Sequence, residues 1–217
     1  MLKTIILFLS INCLVFCQDS YQLAILKYNG GGDWYANPSS LTNLAIFCNE
    51  YLNMNIEHKY AIIEPSSSEL FNYPFIHMTG HGNVVFNELE IENLRKYLLG
   101  GGFLHIDDNY GMDQYIRNEM KKVFPELDFV QIPITHNIYN NIFKFDNGLP
   151  KIHIHNNKPA EGLALIYKGK IICFYSHESD LGDGWEDINV HNDPQYIRVK
   201  ALKMGANIIS YAMNPVK

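Results

Sequence analysis

The sequence predicts a three-layer α/β fold, with a doubly wound, mostly parallel sheet that ends in a C-terminal β-hairpin and a helix. Short apolar segments alternate with segments of helical periodicity, which is the pattern of a parallel sheet covered by helices on both faces. Two alternating segments flank Lys168-Gly169, which indicates the hairpin. A chain of 217 residues is long enough for one such domain.

Seven segments have the length and composition of β-strands. Most of them are short apolar runs that end at Gly, Pro, Asp or Asn, residues that favour turns. In chain order, the predicted strands cover residues 22–28, 61–63, 75–79, 103–106, 129–132, 162–167 and 170–175.

Four segments have helical signals. Ser39 or Ser40 can cap a helix that runs to about residue 52. Residues 88–99 carry an apolar stripe that three glycines terminate. Residues 113–124 end before Pro125, and residues 194–213 form the last helix. The pattern leaves residues 133–158 irregular and residues 176–192 as a long polar loop.

The N-terminus has the pattern of a secretory signal peptide. Lys3 precedes an apolar run that ends sharply at Cys17, before polar residues. We therefore expect a signal peptide over residues 1–17, a single domain over residues 18–217, and export to the periplasm or the medium. Two alternatives are less favoured: a buried first strand, and a lipoprotein signal with Cys17 as the lipid anchor, because Val15-Phe16 is bulky for such a site.

Composition excludes several classes of protein. Hydrophobic residues make up 47% of the chain and charged residues 18%, which is enough apolar material for a core. A formal net charge of −6 without a Lys/Arg cluster argues against binding to nucleic acid. No segment after residue 17 has the apolar length of a membrane span. Cys48 and Cys173 lie in apolar surroundings, so two separate buried thiols are favoured over a disulfide.

Polar residues follow the ends of the predicted strands. In parallel α/β sheets, ligands bind beyond the carboxyl ends of the strands, where the following loops converge. We therefore expect one ligand-binding edge. Its candidate residues are Asp33, Trp34, Gly80, His81, Gly82, Asp107, Asp108, His136, Asp180 and Trp185.

Five segments occur in an order that resembles a known bacterial family. They are FIHMTGHG from residue 75, LRKYLLGGGFLHIDD from residue 94, ITHNIYNNIFKF from residue 134, YSHESDLGDGW from residue 175 and VKALKMGANIISYAM from residue 199. The sequence is similar to the DUF4159 family of domains of unknown function, over nearly the whole chain after the expected signal. That resemblance implies a flavodoxin-like fold of the class I glutamine amidotransferase type. It implies no activity, so function has to be argued from the site.

The Gly80-His81-Gly82 segment falls at a strand-to-helix turn. An amidotransferase carries its nucleophilic Cys at a turn of this general kind, and a nucleophile-elbow hydrolase carries Ser there. Here the nearest hydroxyl belongs to Thr79, so acyl transfer by that route lacks its attacking atom. The glycines either let the backbone approach a ligand closely or form a tight turn, and the sequence leaves both open.

Asp107 and Asp108 end a strand, where successive side chains point to opposite faces. We expect one carboxylate at the ligand edge and the other bracing a loop. In the acidic segment 176–187, a Ca²⁺ loop and a solvated loop are both open. Trp185 and Trp34 are expected to wall a cleft that suits a sugar or a peptide.

Two function classes follow. The favoured one is an exported ligand-binding or accessory module of the cell envelope that lacks the Cys/Ser nucleophile. The alternative is a hydrolase in which His81 acts with Asp107 and Asp180, directly or through a divalent metal. No cofactor and no metal ligand is assigned, although a divalent metal stays open, and His153 and His155 have the spacing of a ligand pair. The expected partner is a small molecule, a sugar or a peptide, and the oligomeric state is open.

Overall fold

The computed structural model describes residues 20–155 and 157–213, so the expected signal peptide over residues 1–17 lies outside the described residues. The strands are β1 (Ala24–Leu26), β2 (Ala61–Ile63), β3 (Phe75–Gly80), β4 (Phe103–Asp108), β5 (Val130–Gln131), β6 (Glu161–Tyr167) and β7 (Lys170–His177). The α-helices are α1 (Ser40–Leu52), α2 (Glu88–Leu99), α3 (Asp113–Val123), α4 (Leu181–Trp185), α5 (Ile188–His191) and α6 (Gln195–Met213).

The strands form one sheet in the order β2-β1-β3-β4-β7-β6-β5. The first five strands in this order are parallel to one another. β6 is antiparallel to β7, and β5 is antiparallel to β6. The parallel part has the 2-1-3-4-5 order of flavodoxin-like folds, with β7 in the fifth place. The predicted mostly parallel sheet and C-terminal hairpin are thus confirmed.

Helices cover both faces of the sheet, which confirms the three layers. One core contains residues of α1, α4 and α6. The other core contains residues of α2 and α3. The strands supply alternate residues to the two cores: Phe75 of β3 faces the first, and Ile76 faces the second. Every residue of β3 and β4 is buried, as expected for central parallel strands.

Local signals set the helix ends. At the start of α2, the Asn87 side chain accepts a hydrogen bond from the Glu90 N–H at 3.0 Å. The Glu90 carboxylate accepts one from the Asn87 N–H at 2.8 Å, which completes a capping box. Gly100 follows the last residue of α2, as the sequence predicts. None of the helices described between residues 20 and 213 is long and apolar enough to cross a membrane.

The segment after β7 differs from its prediction as a polar loop. It contains α4 and α5, and residues 176–186 are buried apart from Asp183, which is partly buried. The acidic side chains are buried because they have intramolecular partners: the Ser39 N–H, for example, donates to Glu186 at 2.8 Å. The prediction of separate thiols is confirmed, since Cys48 and Cys173 are free and buried.

The two outer strands of the sheet are short. β2 has three residues and β5 has two. Both are also partly exposed, with Ile62 54% and Val130 44% accessible to solvent. The longer strands all lie inside the sheet, where they have neighbours on both sides.

Candidate functional site

Asp107 lies near the carboxyl end of β4, on the face covered by α4. Its carboxylate accepts hydrogen bonds from the Ser176 hydroxyl, from the Leu181 N–H at 3.2 Å and from the Gly182 N–H at 2.7 Å. Burial raises the pKa of the Asp107 carboxyl to about 8. Asp107 is fully buried, so its contacts fix the first turn of α4 rather than reach solvent.

Asp108 points to the opposite face, as the two-residue period of a strand requires. Its carboxylate accepts from the Met112 N–H at 2.9 Å and from the Tyr175 hydroxyl at 3.2 Å. Burial raises the pKa of Asp108. This aspartate therefore braces the loop that leads into α3.

Asn37 connects these strand ends to α4. Its amide nitrogen donates to the Asp183 carboxylate at 2.7 Å. Its amide oxygen accepts from the Thr79 hydroxyl and from the Asn109 side chain, both at 2.8 Å. Asn37 is buried, and sequence reasoning missed it, because an Asn in a polar loop before a helix carries no distinguishing signal.

His81 occupies the turn after β3 and is paired with Asp33. The His81 Nδ1 lies 3.0 Å from Asp33 Oδ2, and the His81 N–H donates to the same carboxylate. Burial alone would raise the pKa of Asp33, but the hydrogen bonds from His81 hold it below its usual range. The His81 side chain is 53% exposed, so the ring is open to solvent.

The expected partners of His81 were Asp107 and Asp180. Within residues 20–155 and 157–213, the structure records no hydrogen bond or ion pair between His81 and either of them, and Asp33 has that role instead. The flanking Gly80 and Gly82 have φ of 138° and 77°. A Cβ at Gly80 would lie 2.3 Å from the Tyr28 hydroxyl, so the turn itself requires this glycine.

The two tryptophans have different environments. Trp34 is partly buried beside Asp33, and its ring centroid lies 5.4 Å from that of Tyr35, which is 63% exposed. Trp185 is fully buried, and its Nε1 donates to the Ala201 carbonyl at 2.9 Å. The structure therefore corrects the expectation that Trp185 walls a cleft, whereas Trp34 directly follows Asp33, the partner of His81.

His136 lies away from the carboxyl edge. Its ring packs on Tyr211, with centroids 5.6 Å apart. The Tyr211 hydroxyl accepts from the N–H of Ile171, near the start of β7 and at the far end of that strand from Ser176. The long irregular segment after β5 thus carries His136 across the sheet face, which corrects its expected place among the edge residues.

A cluster of histidines and aspartates lies beside α4 and α5. His153 Nδ1 is 2.9 Å from Asp183 Oδ2, and its Nε2 is 3.1 Å from Asp193. The hydrogen bond to Asp183 raises the pKa of His153 to about 9. Burial would raise the pKa of Asp183, but the bonds from His153 and Asn37 hold it below its usual range.

Asp180 and His155 belong to the same cluster. Asp180 Oδ2 lies 2.6 Å from His155 Nε2, and burial raises the pKa of Asp180 to about 7. The sequence signals for this cluster were the spacing of His153 and His155 and the carboxylates of the acidic segment 176–187. Asp193 and His191 carried none, since they join it only through the folding of the 176–193 segment.

A separate pocket of about 270 Å³ opens at the carboxyl edge near α3. His177 lies in its wall, with Nε2 3.6 Å from Asp113 Oδ1 and Nδ1 3.2 Å from the Glu161 carboxylate. The residues that line this pocket are Asp108, Tyr110, Gly111, Asp113, Gln114, Lys158, His177 and Glu178.

His77 and His105 form a buried pair beneath Trp185. Their Nδ1 atoms are 3.0 Å apart, and His105 Nε2 lies 3.0 Å from the Ser176 hydroxyl. Burial lowers the pKa of His77 to about 3 and that of His105 well below its usual value, so both rings are neutral. Through Ser176, this pair is connected to Asp107.

One comparison with known proteins identifies a family. The family model for a domain of unknown function (DUF4159) matches residues 22–213. No curated protein matches the chain. All the residues discussed in this section lie within the matched range.

Proposed function

The chain belongs to the DUF4159 family, whose description assigns no activity, and we propose from the site geometry that it is a ligand-binding or accessory module of the cell envelope. The proposed module has an amidotransferase-like fold without the acyl-transfer nucleophile. One observation supports it most: the turn after β3, where a nucleophile would stand, carries His81 held by Asp33.

Three aliphatic hydroxyl groups near the sheet edge are poorly placed to act as nucleophiles. They belong to Thr79, Ser176 and Ser179, which are all buried. Each donates a hydrogen bond to a neighbouring group: Asn37, Asp107 and the Pro150 carbonyl, respectively. A nucleophile has to reach its substrate, and all three of these side chains are fully buried.

The side chains in and around the loop that contains Asp33 favour the binding of a polar ligand with a flat face. The Asp33 carboxylate can accept hydrogen bonds from a ligand, and the exposed His81 ring can donate or accept them. Trp34 and Tyr35 add aromatic surface next to them. Sugars and short peptides combine polar groups with faces that pack on aromatic rings, so we propose a ligand of this class.

Export is part of the proposal, and it has a direct test. Lys3, the apolar run and the polar residues after Cys17 favour cleavage between Cys17 and Gln18. Mass spectrometry of the native protein is expected to find an N-terminus at or near Gln18. A chain that starts at Met1 in the cell contradicts export, and an acylated Cys17 would instead show a lipid-anchored form.

We expect His81→Ala to weaken ligand binding about fivefold to tenfold, because one hydrogen bond is lost. The melting temperature should hardly change, since the ring is half exposed and packs little. Calorimetry with ligands found in a panel of oligosaccharides and peptides measures the effect. His58→Ala, which changes an exposed histidine in another loop, is the control. Equal affinity in both variants, or unfolding of the His81 variant, contradicts the proposal.

A hydrolase is the second candidate, and the His81–Asp33 pair favours it. Asp33 engages Nδ1, so it fixes the ring and leaves Nε2 facing solvent, where it could accept a proton from an attacking water. The hydrolase proposal requires turnover of an amide, ester or glycoside that is lost in both His81→Ala and Asp33→Asn. Binding without turnover supports the module instead.

A further inference from the structure

Three side chains from separate segments bring ligand atoms together beside α4. His153, Asp183 and His191 each offer one atom, and these atoms lie within 4.8 Å of one another. The closest pairs are His153 Nδ1 with Asp183 Oδ2 at 2.9 Å, and His191 Nε2 with Asp183 Oδ1 at 3.6 Å. In a tetrahedral zinc site, bonds of about 2.0–2.1 Å separate neighbouring ligand atoms by about 3.3 Å. We propose that these three residues bind a divalent transition metal of the zinc type.

The groups around the cluster are those that orient metal ligands. The Nδ1 side of His153 faces Asp183, while its Nε2 engages the Asp193 carboxylate at 3.1 Å. A metal-bound histidine usually donates its other ring N–H to a carboxylate in this way. Asn37 donates to Asp183 Oδ1 at 2.7 Å and thereby holds the carboxylate ligand as well.

Asp180 provides an independent indication of a ligand. Its side chain is 1% exposed, and its Oδ1 has no hydrogen-bond partner among the residues that the structure describes. Buried carboxylate oxygens are normally satisfied, so an unpaired one needs an explanation. Its Oδ2 lies 3.8 Å from His153 Nδ1, so this buried carboxylate borders the cluster.

The backbone holds these residues in place. The Ile152 N–H donates to the Ser179 carbonyl at 2.9 Å, which fixes the loop of His153 against the segment that enters α4. Asp183 lies within α4, and His191 ends α5. α4 contributes Leu181 and Trp185 to the core, which anchors Asp183, whereas α5 has no buried residue.

A second group of similar residues is a weaker candidate. Asp108, Asp113 and His177 also have ligand atoms within 4.8 Å of one another. Asp113 Oδ1, however, is 2.7 Å from the Arg117 Nε. A guanidinium in direct contact with a ligand atom opposes a bound cation.

The ligand set also selects the metal. Two imidazoles with carboxylates suit Zn²⁺ and related transition metals, whereas Ca²⁺ and Mg²⁺ prefer oxygen ligands alone. The acidic segment 176–187 alone suggested a Ca²⁺ loop. Because His153 and His191 lie beside its Asp183, the combined ligand set favours a transition metal. This site does not involve His81, so it is independent of the function proposed above.

The test is metal titration of the purified protein, without a histidine tag and after dialysis against a chelator. Calorimetry with ZnCl₂ is expected to show about one ion per chain, and Co²⁺ should give the visible absorption of a four-coordinate site. Asp193→Asn should weaken Zn²⁺ binding by about 10–100-fold, the usual effect of removing an orienting carboxylate. His191→Ala should weaken it further, while His58→Ala should bind as the unchanged protein does.

Three results overturn the proposal. They are the absence of Zn²⁺ and Co²⁺ binding, equal binding by His191→Ala and the unchanged protein, and loss of binding on His177→Ala, which would move the ion to the other group. His191 is exposed, so its replacement should leave the fold intact. Circular dichroism of each variant tests whether the protein is still folded, so that a loss of metal binding can be distinguished from unfolding.

Discussion

Replacement of Trp185 by Ala is expected to destabilise the protein by about 3–5 kcal/mol. The indole is fully buried, and its centroid lies 5.3 Å from the ring of His77 and 5.5 Å from that of His105. Its removal leaves a large cavity and abolishes the hydrogen bond from the indole N–H to the Ala201 carbonyl. Chemical denaturation at neutral pH measures this loss as a lower midpoint.

The second tryptophan is a matched control for the first. Trp34→Ala removes the same side chain from a partly buried position, so its cost should be clearly smaller. The two variants also separate stability from binding, because Trp34 lies beside His81 and Trp185 does not reach solvent. Equal losses of stability in the two variants contradict the buried position of Trp185.

A second large effect is expected at Asp107. Asp107→Ala leaves the N–H groups of Leu181 and Gly182 buried without acceptors. Each unpaired group costs about 1–3 kcal/mol, so the variant should lose about 2–6 kcal/mol. The measurement is best made at pH 6, where the carboxyl of the unchanged protein is protonated. A loss below 1 kcal/mol would show that the Asp107 side chain does not fix the first turn of α4.

Asp107→Asn separates hydrogen bonding from charge. The pKa of Asp107 is about 8 in the fold, above the value of 3.8 for an unperturbed Asp. The folded protein therefore keeps this proton to a higher pH than the unfolded chain does. The free energy of unfolding falls as the pH rises from about 4 to about 8 because of this group.

Asn has no proton to lose in this range, so the Asn variant should lack that part of the pH dependence. The unfolding free energy of both proteins, measured from pH 5 to pH 9, gives a difference that isolates Asp107 from Asp180 and His153. The unchanged protein should lose more stability with rising pH than the Asn variant. Parallel curves would contradict a raised pKa at Asp107.

The alternation of strands and helices made the fold predictable from the sequence. The central strands are apolar, and Gly or Pro marks their ends, so local signals and the global fold agree. The prediction of a long polar loop over residues 176–192 was wrong for a specific reason. Its polarity suggested solvent, but its partners are distant in the sequence: Asn37 and Asp183 are 146 positions apart.

The candidate site was predictable only in outline. The topological rule placed Asp33 and His81 after the parallel strands β1 and β3, and Asp107 lies near the carboxyl end of β4. It could not give the pairing of His81 with Asp33, since those residues are 48 positions apart and both are exposed enough to accept other partners. It also missed His191, whose place depends on how the chain turns after α4.

The short outer strands have a consequence for how copies of this protein behave in solution. An exposed strand with unpaired backbone groups is a template for another chain, and long, flat ones lead to aggregation. Here β2 and β5 offer only three and two residues for such pairing. A single open strand of this length gives too few intermolecular hydrogen bonds to offset the entropy of association. Contact between copies through strand addition is therefore disfavoured at both edges of the sheet.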